Sequence, residues 1–207
     1  MDDIVAQAMA RWPDVPSVYG WLRLDRRGRW LVKGEPISHR PTVDFIGRNY
    51  HCDAQGRHYF QNGPQRVFVD IDHFPHVLWL DGSTGRSAAF VTHVGTPPAR
   101  PRRAWVDPAA GVVVEFDWTG SDTPAFGSVL DRDLPALIGC FTGADGHALD
   151  AAGWECLLEG RAPDSRLAVG DALLPVETLP PVHGSPPVPP FTFVRAPRPL
   201  PGEDACT

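Results

Sequence analysis

Long apolar runs are missing from this 207-residue chain. No stretch approaches the ~18 consecutive apolar residues of a membrane-spanning helix, so no membrane insertion is expected. The opening segment MDDIVAQAMARW lacks the basic start and apolar centre of a secretory signal, and a cytoplasmic setting is expected. Cysteine is scarce: Cys52, Cys140, Cys156 and Cys206 include no C-x-x-C pair and are expected as free thiols. Lysine is nearly absent, with Lys33 alone against 18 Arg, so a cationic site here must use the planar guanidinium fork. The fingerprints G-x-G-x-x-G, G-x-x-x-x-G-K-[ST], G-x-S-x-G and H-E-x-x-H do not occur. A net charge of −6 argues against a general phosphate binder, and no nucleic-acid partner is expected.

Proline and glycine are abundant, 23 and 20 residues, which favours many turns and short elements. Apolar residues at 43% and charged residues at 21% are ordinary for a globular chain. Asp2 to Trp12 reads as a helix with Ile4, Ala8 and Trp12 on one face, closed by Pro13 and Pro16. GWLRLDRRGRW is a hairpin pattern turning at Asp25–Gly28, and Gly34 to Pro36 make a second turn. A short helix is expected over Thr42–Tyr50, after Pro41. A β-meander follows, with turns at Asp53–Gly56 and Asn62-Gly63, strands around Val67–Ile71, Val77–Leu80 and Ala88–Val94, and a join through Asp81-Gly82 and Gly85. Pro97 to Arg103 reads as a linker. Beyond it come a hairpin turning at Asp107–Gly111, a loop over Ser121–Ser128 and a helix over Leu130–Phe141 with Asp131 as its cap. A turn at Asp145-Gly146 and a helix or strand over Ala151–Leu158 complete this part. The last 33 residues hold ten prolines, and extended polyproline geometry with little packing is expected.

Two stretches echo one another. FIGRNYHCDAQGRHYF and LIGCFTGADGHAL each run from an apolar helical turn ending Ile-Gly into an Asp-Gly hairpin, with Ile46 and Ile138, and Asp53 and Asp145, 92 residues apart. The preceding hairpins correspond through Asp25 and Asp107. The expected fold is α+β and strand-rich, in two related halves, each made of β-hairpins plus a short helix. The expected parts are 1–96, 104–174, and a proline-rich tail over 175–207 packed on the surface.

Charge divides along the chain. Residues 1–103 hold 14 Arg or Lys and 10 Asp or Glu, a net of +4; residues 104–207 hold 5 and 15, a net of −10. The densest polar segment lies in the positive part. Arg48, Asn49, Tyr50, Gln61, Asn62 and Arg66 can grip a carboxylate or phosphate and stack on a ring. His73-x-x-His76 and the set His51, Cys52 and His58 are short of three or four convergent ligands, so neither a metal nor a cofactor is expected. Asp70, Asp72 and His73 are the acid–base candidates, and no catalytic residue is assigned.

FIGRNYHCDAQGRHYFQNGPQRVFVDID, preceded by GWLRLDRRGRW, resembles a bacterial family known only as a protein of unknown function, across residues 1 to 100 and more loosely beyond. More distantly, Gly34, Pro36 and Ile37 resemble the Gly-x-Pro-Ile of a second uncharacterised bacterial family. That likeness implies domain duplication, a C-terminal half like a pleckstrin-homology fold, and a ligand site between domains. The function expected is non-catalytic ligand binding or regulation, with a small anionic metabolite or nucleotide held between the halves. The alternatives are an enzyme using the Asp and His residues above, and a protein-interaction module using a sheet edge or the proline-rich tail.

Overall fold

A computed structural model of the chain describes residues 1–12, 15–81, 89–96, 100–107, 111–119, 121, 123–162, 164–179 and 191–206. Pro13, the join at 82–88, the start of the linker at 97–99, the turn at 108–110 and the tail over 180–190 lie outside the described residues. Among those described there are four short α-helices, and the strands form two sheets. By contact, one compact unit comprises Met1–Pro75, His93–Gly95 and Pro189–Thr207, and the other His76–Thr92 and Thr96–Val188.

The first unit begins with α1 (Asp3–Arg11), then β1 (Ser17–Leu24), β2 (Trp30–Val32), β3 (Glu35–Pro36), α2 (Arg40–Arg48), β4 (Tyr50–Cys52), β5 (His58–Asn62) and β6 (Gln65–Ile71). Its sheet runs β3-β2-β1-β6-β5-β4, with β1 and β6 parallel. The inner face carries Leu22, Leu24, Trp30, Val69 and Ile71, all buried, while Trp21 and Arg23 alternate outward as a half-buried sheet requires. The apolar stripe of α1 faces outward: Ile4 is 72% and Trp12 53% exposed, and Val5 is the buried residue instead. The second helix starts at Arg40, two residues before the expected position, with Pro41 in its first turn where a missing N–H costs nothing.

The second unit contains β7 (His76–Asp81), β8 (Ala89–Thr92), β9 (Arg100–Asp107), β10 (Gly111–Asp117), β11 (Ala125–Val129), a 3-10 turn (Asp131–Asp133), α3 (Leu134–Ile138), β12 (Phe141–Thr142), α4 (Ala151–Leu158), β13 (Arg166–Val169) and β14 (Ala172–Thr178). Its sheet runs β12-β13-β14-β9-β10-β11-β7-β8, with β9 and β14 parallel. With β9 to β14 counted as the first to sixth strands of the second unit, both units run alike: the first strand hairpins to the second, a helix precedes the fourth, and the sixth returns parallel beside the first. Read outward from the returning pair, the two orders are the same, and the second sheet adds β7 and β8 at one end. The protein is therefore strand-rich α+β in two related halves.

Several local expectations change. Residues 100–103 are strand rather than linker, because Arg102 and Arg103 project to the carboxylates of Asp117 and Glu177 at 2.6 and 2.7 Å. Residues 125–129 are a fully buried strand rather than loop; the small Gly127 and Ser128 hid its apolar character. The helix after Leu130 shrinks to Leu134–Ile138, starting beside Pro135. Ala151–Leu158 is a helix, because the Asp150 carboxylate caps it by accepting from the Gly153 N–H at 2.8 Å. Residues 175–178 belong to β14 rather than to a tail. In the hairpin turns, Gly56 and Gly146 both donate to the carbonyl three residues back, on Asp53 and Gly143 respectively. The turns thus align 53 with 143 and 56 with 146, two residues off the aspartate pairing.

Gly127 lies where β11 passes β7. A Cβ there would meet Leu78 Cγ at 2.8 Å, Leu78 Cδ1 at 3.0 Å and His76 Cβ at 3.2 Å. Gly127→Ala should therefore destabilise the protein by about 1–3 kcal/mol through overpacking. Urea unfolding measures this, and an unchanged midpoint would contradict the close approach.

Candidate functional site

The turn chemistry places the charged residues of the first unit. Asp25-x-x-Gly28-Arg29 and Asp53-x-x-Gly56-Arg57 fold alike. In each, one aspartate oxygen accepts the backbone N–H groups two and four residues on, and the other accepts from the arginine Nε at 2.7 Å. Gly28 and Gly56 hold the left-handed conformation, at φ 77° and 76°. The environments differ. The Arg29 side chain is 55% exposed and that of Arg57 only 7%. Arg57 also donates to Glu203 Oε2 at 2.9 Å and to the Tyr19 hydroxyl at 3.2 Å, and lies 4.4 Å over the Phe68 ring. Burial alone raises the Glu203 carboxyl, but its bonds to Arg57 and the Leu200 N–H outweigh that and hold it below its usual range.

The C-terminal segment therefore docks on this unit. The Val194 N–H donates to the Gly56 carbonyl at 2.9 Å, and Phe191 is buried edge-on to Phe74 at 5.2 Å. β15 (Ala205–Cys206) pairs with the start of β1.

The six residues singled out in the sequence fall in four separate places. Arg48 and Asn49 secure α1: Arg48 Nε reaches Asp2 Oδ1 at 3.2 Å, and Asn49 Oδ1 accepts the Asp2 N–H at 2.8 Å. Tyr50 is inside, its hydroxyl donating to the Pro75 carbonyl at 3.0 Å. Asn62 is exposed at its hairpin turn. Gln61 and Arg66 come together, in a cleft of about 300 Å³ lined by Met9, Trp12, Val15, Ser17, Gln61, Pro64 and Arg66. Gln61 is 1% exposed, with Nε2 donating to the Gly63 carbonyl at 2.9 Å. Arg66 is exposed, its guanidinium 4.8 Å over the Tyr59 ring. Trp12 lies beneath the Arg11 guanidinium at 4.8 Å.

Met9, Trp12, Val15, Ser17 and Pro64 are the site residues that sequence reasoning missed. The only signal was an aromatic ending an amphipathic helix, which reads equally well as core.

The other candidates occupy other places. Asp72 pairs with Arg23 at 3.4 Å and Asp70 with Arg198 at 3.9 Å. Burial pushes the Asp70 carboxyl up, against the pull of Arg198 and Arg23. His73 stands edge-on to Phe74 at 4.6 Å. His76 is fully buried, between Phe116 and Trp118. His58 and His93 flank Tyr50, with ring centroids 5.4 and 5.6 Å from it, and Trp30 closes the group at 5.1 Å from His93. Among the described residues no three His, Cys, Asp or Glu side chains are grouped to hold a metal ion, and no helix is long and apolar enough to cross a membrane.

A family model described as a protein of unknown function (DUF2946) matches residues 1–177 of the chain. No curated protein matches. A crystal structure of a DUF1285 family protein from Silicibacter pomeroyi DSS-3 is 18% identical, with a TM-score of 0.52 over 86% of this chain and 97% of that one. That likeness shows a shared fold. Another, a DUF1285 family protein from Shewanella baltica OS155, is 12% identical with a TM-score of 0.40, covering 54% of this chain and 85% of that one.

Proposed function

The chain belongs to this family of unknown function, a premise that supplies no activity, and we propose that it is a non-catalytic binding protein for a small anionic metabolite or nucleotide. The observation that carries the reading is the cleft in the first unit, where the exposed guanidinium of Arg66 stands beside Gln61, Ser17 and the indole of Trp12. A concave site with an apolar wall and a few polar groups is the usual form of a ligand pocket. Arg66 supplies the charge and Gln61 the orientation. Arg48 and Asn49 act at one remove, by holding α1, which forms a wall. Tyr50 and Asn62 support the strands that carry Gln61.

The repeated strand order supports an origin by duplication of one half. Free thiols at all four cysteines fit a reducing, cytoplasmic setting. A protein partner is the second reading, favoured by the exposed Met1, Ile4 and Trp12 of the N-terminal segment.

A thermal-shift screen against phosphates, nucleotides and carboxylates tests the first reading. A ligand at about 100 times its Kd adds ~2.7 kcal/mol of stability, enough to raise the midpoint by roughly 5–10 °C in a protein this size. The expected result is a shift with at least one anion that disappears in Arg66→Ala while the unliganded midpoint stays put. A shift of equal size in that variant rejects the cleft.

A further inference from the structure

We infer that the cleft takes a small aromatic monocarboxylate, a narrower statement that rests on the binding reading above. The charge count comes first. Among the described residues no carboxylate pairs with Arg66, and Arg66 is the single guanidinium lining the cleft. Its face lies over Tyr59, which leaves the N–H edge as a planar fork suited to one carboxylate. The Gln61 amide nitrogen already donates to the Gly63 carbonyl. A phosphoryl group brings nearly two charges and three strong acceptors, more than these donors answer.

Size comes second. A cleft of about 300 Å³ lies at the small end of the range of ligand pockets, about 300–1,000 Å³. A benzoate-sized molecule fits that space; a nucleoside monophosphate is far larger.

Shape comes third. Trp12 is 53% exposed and offers an indole, and Met9 and Pro64 complete an apolar wall. Such a wall favours a flat ring, through aromatic stacking and sulfur–aromatic contact. The ligand would place its ring against Trp12 and Met9 and its carboxylate on Arg66, with the Ser17 hydroxyl at the same cleft.

Isothermal titration of the full chain with benzoate, benzyl alcohol, acetate, inorganic phosphate and adenosine monophosphate tests this. Benzoate should bind saturably, while benzyl alcohol (ring without charge) and acetate (charge without ring) should not. Arg66→Ala should weaken benzoate by about 10- to 100-fold, as losing a charge-assisted bond does, with Arg66→Lys falling between. Trp12→Ala should weaken it by about 2- to 10-fold, and Trp12→Phe by less, since a ring remains. Phosphate or adenosine monophosphate binding that depends on Arg66, with none by benzoate, would overturn the ligand class and leave the binding reading standing. Benzoate binding that needs Arg66 but is indifferent to Trp12→Ala would overturn the aromatic part. No Arg66-dependent binding of any probe would sink both readings.

Discussion

Replacing Arg57 with Ala should cost about 3–5 kcal/mol and loosen residues 191–206 from the first unit. The guanidinium is nearly enclosed and serves Asp53, Glu203 and Tyr19 together, while its face covers Phe68. Removing it leaves the Asp53 carboxylate, itself 9% exposed, without its buried counter-charge. The desolvation of that charge then weighs against folding, and this is why breaking a buried pair costs more than the pair contributed. The tail loses its strongest polar anchor at Glu203. Hydrogen exchange reads both effects. The N–H groups of Ser17, Ile71 and Val194, which bond Asp204, Arg195 and Gly56 across this dock, should lose protection before the rest of the sheet. Arg57→Lys keeps the charge but not the fork and should fall in between. Wild-type stability and protection in Arg57→Ala would show that the network holds nothing.

Acidification should destabilise the first unit steeply between pH 6.5 and 4. Burial pushes His58 down to about 4, with partial opposition from the Gly56 carbonyl and Asp53. Burial, and then the nearby His58, pushes His93 down to about 3. Both rings are therefore neutral in the folded protein, while in the unfolded chain they take up protons near pH 6.5. Below that pH the unfolded state binds more protons than the native one, so stability falls as pH falls and is fully present above about 6.5. The loss continues until the folded rings themselves protonate, near pH 4 and 3. Each histidine contributes up to about 1.4 kcal/mol per pH unit across this window, several kcal/mol in total by pH 4. That rivals the whole stability of an ordinary domain, about 5–15 kcal/mol. Urea unfolding at pH 7, 6, 5 and 4 should give a slope near two protons. His93→Phe keeps a ring against Trp30 and Tyr50 and should reduce the slope by about one. Stability flat across that range would mean that the rings are not held neutral.

Much of the element order was legible because turn chemistry is local. Asp25-x-x-Gly28 and Asp53-x-x-Gly56 set their hairpins through bonds spanning at most four residues. Pro41 and Pro135 could stand only in the first turn of a helix. The misses had local causes too. Gly127 and Ser128 disguised a buried strand, and the Arg- and Pro-rich residues 100–103 disguised the start of an interior strand whose arginines pair with carboxylates on its two neighbours.

The candidate site was legible only in part. Arg66 and Gln61 stood out as polar residues near a turn. Their partners Trp12, Met9 and Ser17 lie some fifty residues away in the chain and meet them only after α1 packs. Composition could not say that Ile4 and Trp12 would face outward and Val5 inward, because all three fit a helical stripe.

What the sequence determined by itself was therefore the set of turns, the hairpins they close and the alternation of strands with short helices, all consequences of neighbours a few residues apart. The tertiary structure decided burial and long-range pairing. It set β6 parallel beside β1 and β14 parallel beside β9, and brought the C-terminal segment onto Arg57. Arg29 and Arg57 show the division most directly. One motif gives both the same bond to their aspartate, yet only Arg57 is enclosed, because only there do Tyr19, Phe68 and Glu203 arrive from distant parts of the chain.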